Sequence, residues 1–198
     1  MNTLYSKRTH FRSAKIIALF MFSGLIILKL NASAQRIDRR LKINLTQYNI
    51  AFIMPKRYVE CDSGFSFFCG DWKITNGISY SIIKKDSSVK IALSFVRTPS
   101  GAEDNYLRTA VNRADTMHHK IIYYDSAFSK QTFNADHVVA ITRNCTLPYK
   151  NLNNNRVFFI ARNGRCHIEL TYLYTDKMKK KIEPEIERTL KTILKFKD

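Results

Sequence analysis

Four cysteines, Cys61, Cys69, Cys145 and Cys166, are the residues of this chain with the clearest chemical potential, because they form disulfides in an oxidising compartment. Cys61 and Cys69 enclose seven residues, including Gly64, so closure of this local loop is the simplest bridge. In a simple meander, Cys145 and Cys166 lie on strands that flank a third strand, so two strand spacings separate them. That distance exceeds the roughly 7 Å limit between the Cα atoms of a disulfide, so these two cysteines pair only in a different topology. All three connectivities of four cysteines stay open. No CxxC spacing predicts a zinc site.

Histidines and candidate nucleophiles show no pattern typical of catalysis. His118 and His119 are adjacent, and neighbouring side chains on a helix point about 100° apart, so the two do not face one metal ion easily. We expect them at a helix C-terminus, where the helix dipole favours a cationic imidazole. The chain has no GxSxG elbow, and its six glycines form no phosphate-binding loop. The sequence therefore favours a protein that uses no cofactor and no metal.

Aromatic side chains are concentrated in the predicted Cys61–Cys69 loop. Phe65, Phe67 and Phe68 lie there. In one interpretation they fold back onto the core. In the other they form an exposed contact for a partner, because a disulfide-closed loop presents aromatics in a preorganised form.

The first 34 residues are typical of a secretory signal peptide. A basic start is followed by the apolar run Ile16–Leu30 and by Ala32-Ser33-Ala34, an A-x-A cleavage site before Gln35. The apolar run of about 15 residues is shorter than the ~20 that span a bilayer. We expect cleavage before Gln35 and a periplasmic or secreted location for residues 35–198; an uncleaved N-terminal anchor is the alternative.

The predicted mature chain is strongly basic. Five of the 33 Lys and Arg residues and none of the 16 acidic residues lie in the signal peptide, so the mature net charge is 28 − 16 = +12. Such a charge favours anionic partners, although it also serves simple solubility. Outside the cytoplasm we expect no nucleic acid, which leaves a protein partner or an anionic envelope surface.

The stretch Arg156–Thr175 is the centre of the predicted fold. Val157–Arg162 is rich in aromatic and β-branched residues, His167–Thr175 alternates strictly, and Asn163-Gly164 between them is a two-residue type I′ turn signal. One face of the second strand is apolar and needs a cover; it carries Ile168, Leu170, Tyr172 and Tyr174. We expect the amphipathic helix that follows to cover this face. Ile186, Leu190 and Ile193 form its apolar seam, and Pro184 marks a restart of the helix.

The remaining chain alternates strands with one helical stretch. Strand patterns are found at Tyr48–Met54, Ile78–Ile83, Val89–Val96, Ile121–Tyr124, Ala127–Phe133 and His137–Thr142. Residues from Ala102 to Met117 have helical spacing, while Gln35–Lys42 and Asn151–Asn155 are predicted to be irregular, and Asp176 is a candidate N-cap. This order predicts a single α+β domain, an antiparallel sheet with an inserted amphipathic helix and a C-terminal helix packed on it.

Basic residues form a stripe along the predicted C-terminal helix. Counted from Ile186 at about 100° per residue, Lys181, Arg188, Lys191 and Lys195 fall opposite the apolar seam. The stripe is either an ordinary solvated face or a docking surface for an anionic partner.

Short motifs at both ends of the predicted mature chain resemble those of the PsbP-like superfamily, which includes periplasmic DcrB-like proteins. They are the strand-then-proline opening Ile50–Lys56, Leu170-Thr171-Tyr172, Pro184-Glu185-Ile186 and the ending Thr192–Phe196. The resemblance implies an α/β/α sandwich that binds or assembles, usually without catalysis, and it identifies no ligand-binding residue. We therefore expect an exported, non-catalytic binding or assembly domain; the alternatives are an inhibitor or structural partner of another secreted protein, and an envelope enzyme.

Overall fold

The computed structural model describes residues 39–61, 67–69, 72–74, 78–96, 103–144, 152–163 and 166–198. All of them belong to one unit, which extends from Asp38 to Asp198. In chain order the elements are α1 (Arg39–Gln47), β1 (Ile50–Phe52), β2 (Tyr58–Cys61), β3 (Phe67–Cys69), β4 (Trp72–Ile74), β5 (Ile78–Lys84), β6 (Val89–Val96), α2 (Glu103–Thr116), β7 (Lys120–Tyr123), α3 (Ser126–Phe133), β8 (His137–Asn144), β9 (Asn154–Arg162), β10 (Cys166–Tyr174), a 3-10 turn (Asp176–Met178), α4 (Ile182–Ile193) and β11 (Leu194–Phe196).

Seven strands form one antiparallel sheet in the order β2-β5-β6-β10-β9-β8-β7. It consists of two groups, because β2, β5 and β6 pair in chain order and β7 to β10 form a meander. The groups join where β6 pairs with β10, and α2 is the helix between them in the chain. The predicted antiparallel α+β fold with an inserted helix is therefore confirmed.

The C-terminal helix α4 covers one face of the sheet, as its spacing predicts. Its buried side chains pack with Ile168, Leu170 and Tyr172 of β10; they are Ile182, Ile186, Leu190 and Ile193. Leu41 of α1 and Phe133 of α3 belong to the same cluster. Each such side chain contributes on the order of 1.5–3 kcal/mol when removed from water, so this face is the main core of the domain.

The inserted helix α2 covers part of the opposite face. Ala110 and Ala114 are buried there together with Val139, Val157 and Phe159 of the sheet. On the second face of β10, Thr171 and Leu173 are also buried. Helices therefore cover both faces of the central strands, in an α/β/α sandwich. This explains why β9 carries apolar side chains on both of its faces.

The central hairpin has a different connection from the predicted one. Arg162 pairs with Cys166, whereas a two-residue turn at Asn163-Gly164 places Arg162 opposite Arg165. Three residues therefore separate the paired positions, and the prediction was wrong by one residue. The N–H of Asn163 donates to Asp136 Oδ2 at 2.8 Å, so a contact from the neighbouring connection takes part in forming this end of the hairpin.

The segment Ala127–Phe133, predicted as strand, belongs to helix α3. Asp125 precedes this helix and its Oδ1 accepts a hydrogen bond from the N–H of Phe128 at 2.7 Å. Asn134 ends it in the left-handed conformation, with φ 51°. Both are standard helix-capping arrangements, and here they outweigh the strand propensity of the aromatic residues.

Both ends of the domain also differ from the prediction. Residues 39–42 begin helix α1 instead of an irregular lead-in, and the strand Tyr48–Met54 is reduced to β1. β1 lies outside the seven-stranded sheet and pairs with β11, where Ile50 faces Phe196. The residues of β11 were predicted as the last part of the helix. Pairing with β1, a strand far away in the sequence, replaces the helical periodicity there.

The structure also shows where three predicted turn, loop and cap positions lie. The turn between β5 and β6 was predicted at Lys84–Ser88 and lies at 85–88, because Lys84 is the last residue of β5. Asn154 and Asn155, predicted in a loop, begin β9 and are buried. Asp176 lies in the 3-10 turn, and α4 has Lys181 as its N-cap, with Pro184 in the first turn.

Candidate binding surface

Three turns meet at one end of the sheet. The N–H of Lys85, in the β5–β6 turn, donates to the carbonyl of Arg57, in the β1–β2 connection, at 2.9 Å. The N–H of Thr175, just after β10, donates to the carbonyl of Ser88 at 3.2 Å. These two backbone bonds place the connections before β2, after β5 and after β10 side by side.

The three turns carry a concentration of cationic side chains, which we name the basic end. Its members are Lys56, Arg57, Lys85, Lys177, Lys180 and Lys181, all of them exposed. None of the six forms an ion pair with another residue in the described part of the chain. Six positive charges at neighbouring turns produce a local field that attracts anions.

Acidic residues at the basic end are engaged by other partners. Asp176 accepts hydrogen bonds from Asn154 and Lys179, both at 3.0 Å, and these bonds lower its pKa to about 2. Asp86 accepts from the hydroxyl and the N–H of Ser88, which lowers the pKa of its carboxyl group. Both carboxylates shape their own turns, and each is closest to a lysine outside the set of six.

The predicted basic stripe along α4 is not one surface. Lys181 belongs to the basic end, whereas Lys195 lies on β11, beyond the other end of the helix, and its Nζ is 3.3 Å from the carbonyl of Gln131. A helix of 12 residues rises about 16 Å between its ends, so these two lysines do not act together. Lys191 is exposed on α4. The prediction assumed that the helix continues through Lys195, but it ends at Ile193.

Arg188, the fourth residue of the predicted stripe, is bound to Glu185 at 2.6 Å. Glu185 also accepts from the hydroxyl of Tyr58 at 2.8 Å and from Lys84 Nζ at 3.4 Å. Burial alone raises the pKa of Glu185, but the bonds from Tyr58 and Arg188 outweigh it and hold that pKa below its usual value. Glu185 therefore joins α4 to β2 and β5, a structural role that its position on a helical wheel did not reveal.

A cluster of polar side chains lies on the α2 side of the sheet. The hydroxyl of Tyr106 donates to Glu169 Oε1, and the edge of the Tyr106 ring meets the His167 ring with 5.4 Å between centroids. Arg143 and His167 are buried. Burial raises the pKa of Glu169 and lowers the pKa of Arg143 to about 10. The alternation of β10 predicts that His167 and Glu169 share a face, but α2 had to be placed to show that Tyr106 meets them.

This arrangement can hold a proton between a phenol and a carboxyl group. A carboxyl with a raised pKa is a common general acid in enzymes. Here one oxygen of Glu169 already accepts from Tyr106, which anchors α2 to β10. The described contacts therefore assign the pair a structural role.

The predicted disulfides lie largely outside the described side chains. No two cysteines whose side chains are described lie at disulfide distance, and Cys61 Sγ is 3.4 Å from Ser81 Oγ. Asn144, which precedes Cys145, pairs with Asn154 at the start of β9. Cys166 pairs with Arg162 at the other end of β9. This meander is the arrangement in which we expect no Cys145–Cys166 bridge. The Cys61–Cys69 bridge stays a prediction.

The aromatic loop is described only in part. Phe67, Phe68 and Cys69 form β3, which pairs with β4, so a short hairpin follows Cys61. Phe65 and the side chains of Phe67 and Phe68 lie outside the described part of the chain. Both interpretations of these aromatic residues are therefore predictions from the sequence.

Histidines do not gather in the part of the chain that the structure describes. His118 and His119 follow α2, as predicted, but the backbone closes the helix, since the N–H of His119 donates to the carbonyl of Ala114 at 2.9 Å. No group of three or more His, Cys, Asp or Glu side chains able to hold a metal ion is present among the described residues. Within the same residues, no helix combines the length and the apolar character that crossing a bilayer needs.

The fold and the basic end define the class of this protein as an α+β sandwich domain with a polycationic end. No family model, curated protein or solved structure matches the chain. The resemblance to PsbP-like proteins therefore stays a prediction that rests on the motifs alone.

Proposed function

We propose that residues 35–198 are an exported binding domain that docks through the basic end onto an anionic surface of the cell envelope. The observation that supports this proposal is the meeting of three turns that bring together six exposed cations, none of which forms an ion pair with another described residue. Five of the six are lysines, which attract negative charge mainly as compact point charges. A lysine-rich cluster contributes about 1 kcal/mol per residue at an anionic lipid surface.

A lipid-type surface fits the basic end better than a protein partner does. Protein interfaces concentrate their binding energy in Trp, Tyr and Arg side chains that fill pockets. The basic end carries one arginine, Arg57, and its other five cations are flexible lysines. Such side chains adapt to laterally mobile head groups without a fixed complementary shape.

Two double charge reversals test the proposal while keeping the net charge equal. Lys180→Glu with Lys181→Glu alters the basic end, and Lys191→Glu with Lys195→Glu alters α4 and β11 by the same amount. At about 1 kcal/mol per lysine, the first pair should weaken binding by about 30-fold. At 0.15 M salt the control pair should stay within about threefold of the parent, since the Debye length of ~8 Å is shorter than the roughly 16 Å of α4 that separates it from the basic end.

The measurement is sedimentation of the mature chain with vesicles that contain 30 mol% phosphatidylglycerol, compared with neutral phosphatidylcholine vesicles. Binding should weaken steeply from 0.01 M to 0.15 M salt, as the Debye length falls to ~8 Å. Equal loss in both double variants means that net charge alone drives adsorption, and the proposal is then wrong. Absence of vesicle binding together with capture of the protein by an acidic polypeptide favours the protein-partner alternative.

A further inference from the structure

A groove opens between α2 and the edge of the sheet, where β7 ends and β8 begins. Its volume is about 340 Å³, close to the lower limit of small-molecule sites in proteins. Leu107 and Val111 of α2 form one wall, and Val139 of β8, which packs with them on the α2 side of the sheet, is buried beneath it. The groove lies toward the end of β8 that begins at His137, away from the basic end, so a ligand there uses none of the six cations.

Two consecutive tyrosines, Tyr123 and Tyr124, border the groove. Tyr123 is 67% exposed, the most exposed large apolar side chain among the described residues. Tyr124 stacks on Phe128 with 4.2 Å between ring centroids, and on Phe158 at 6.0 Å. The Tyr124 ring belongs to the core on the α4 side of the sheet, so the exposed Tyr123 ring is the surface that the groove offers to a flat apolar group.

Two nitrogen-rich side chains border these apolar walls. Arg108 lines the groove, and its only described hydrogen bond is the one that its Nη2 donates to the neutral Asn105 Oδ1 at 2.6 Å. A guanidinium group has five N–H donors, so several remain for a ligand. His137 is exposed at the same groove.

Among the residues whose side chains are described, none that lines the groove is acidic. The acidic neighbour of His137, Asp136, is held by Lys130 at 2.8 Å and by the N–H of Asn163 at 2.8 Å. Burial alone raises the pKa of Asp136, but these two bonds outweigh it and keep the carboxylate ionised and engaged. Within the described lining of the groove, no carboxylate therefore compensates the positive charge of Arg108.

We propose that this groove binds a small organic carboxylate with an aromatic or aliphatic body. Its carboxylate accepts hydrogen bonds from Arg108, with the His137 imidazole beside it, and its body lies between Leu107, Val111 and Tyr123. A planar guanidinium matches a carboxylate because two parallel N–H bonds reach its two oxygens. This site is independent of the proposed envelope docking, since neither depends on residues of the other.

The probe is 3-phenylpropanoate, and its uncharged isostere 3-phenylpropanamide is the ligand control. A ligand of this size in an open groove should bind with a Kd of about 1 mM, at the ligand efficiency of small molecules. The amide should bind at least about tenfold more weakly, because a charge-assisted hydrogen bond is worth about 1.5–3 kcal/mol. Chemical-shift changes of backbone amides during titration of the mature chain measure both constants and locate the ligand.

Arg108→Gln should weaken 3-phenylpropanoate binding at least about tenfold and leave the affinity for the amide unchanged. Tyr123→Ala, at an exposed position, should weaken both ligands about equally. Lys191→Gln removes the same charge outside the groove and should change neither. The proposal fails if 10 mM 3-phenylpropanoate shifts no groove amide, if the amide binds equally well, or if Arg108→Gln and Lys191→Gln behave alike.

Discussion

Arg156 donates two hydrogen bonds to Glu183, with distances of 2.6 and 2.5 Å. Its Nε also donates to Thr142 Oγ1 at 3.0 Å, so one guanidinium group connects β8, β9 and the first turn of α4. The Arg156 side chain is 7% exposed and that of Glu183 58%. The buried charge of Arg156 is therefore the one that needs a partner of opposite charge.

Replacing Glu183 by Gln should lower the free energy of unfolding by about 1–2 kcal/mol. Breaking a fully buried ion pair from one side costs about 3–5 kcal/mol, but water reaches Glu183 and reduces the effect. Urea unfolding with a constant m-value measures the loss. Glu187→Gln is the matched control, about one turn further along the same helix. Glu187 is exposed and in no described ion pair, so this variant should change stability by less than about 0.5 kcal/mol. Equal losses from both variants contradict the assigned role of Arg156.

Glu169 should make the domain less stable as the pH rises. Burial raises its pKa, so the folded chain holds this proton more tightly than the unfolded chain, whose pKa is near 4.5. Between the unfolded and folded pKa values unfolding releases the proton, and the free energy of unfolding falls with increasing pH. Below the unfolded value the stabilisation is fully present.

Glu169→Gln keeps an acceptor for the Tyr106 hydroxyl and removes this titration. The stability of the parent relative to the variant should therefore decline from pH 4 to pH 8. Urea unfolding at intervals of one pH unit tests the slope. Parallel curves for the two proteins mean that Glu169 has no raised pKa in the folded chain.

Phe196 should be far more important for stability than its neighbour Lys195. Phe196 is 1% exposed and pairs with Ile50, with the Arg162 guanidinium carbon 5.8 Å from its ring centroid. Phe196→Ala should cost about 3–5 kcal/mol, a large part of the ~5–15 kcal/mol of a typical domain. Lys195→Ala should stay within about 0.5 kcal/mol. Thermal unfolding followed by circular dichroism compares the two, and similar melting temperatures are incompatible with β11 closing the core.

The local sequence pattern was sufficient to predict the strands and helices that have a regular apolar repeat. β6 has the predicted bounds Val89–Val96, and α2 lies within the predicted Ala102–Met117. In α4, Ile186, Leu190 and Ile193 are buried as predicted. In each case a regular repeat of apolar side chains must be removed from water, and only one secondary structure places them on a single face.

Tertiary structure alone decided which distant residues meet. Leu194–Phe196 continue the helical pattern of α4, yet they form β11 because β1 offers backbone hydrogen bonds and Phe196 fills a buried position there. The basic end is a second case. Lys56, Lys85 and Lys180 are far apart in sequence, and only the register of β2, β5 and β10 brings their turns together. Composition and periodicity determined the fold class and the excess of positive charge, whereas the pairing of strands, a non-local choice, decided where that charge is concentrated.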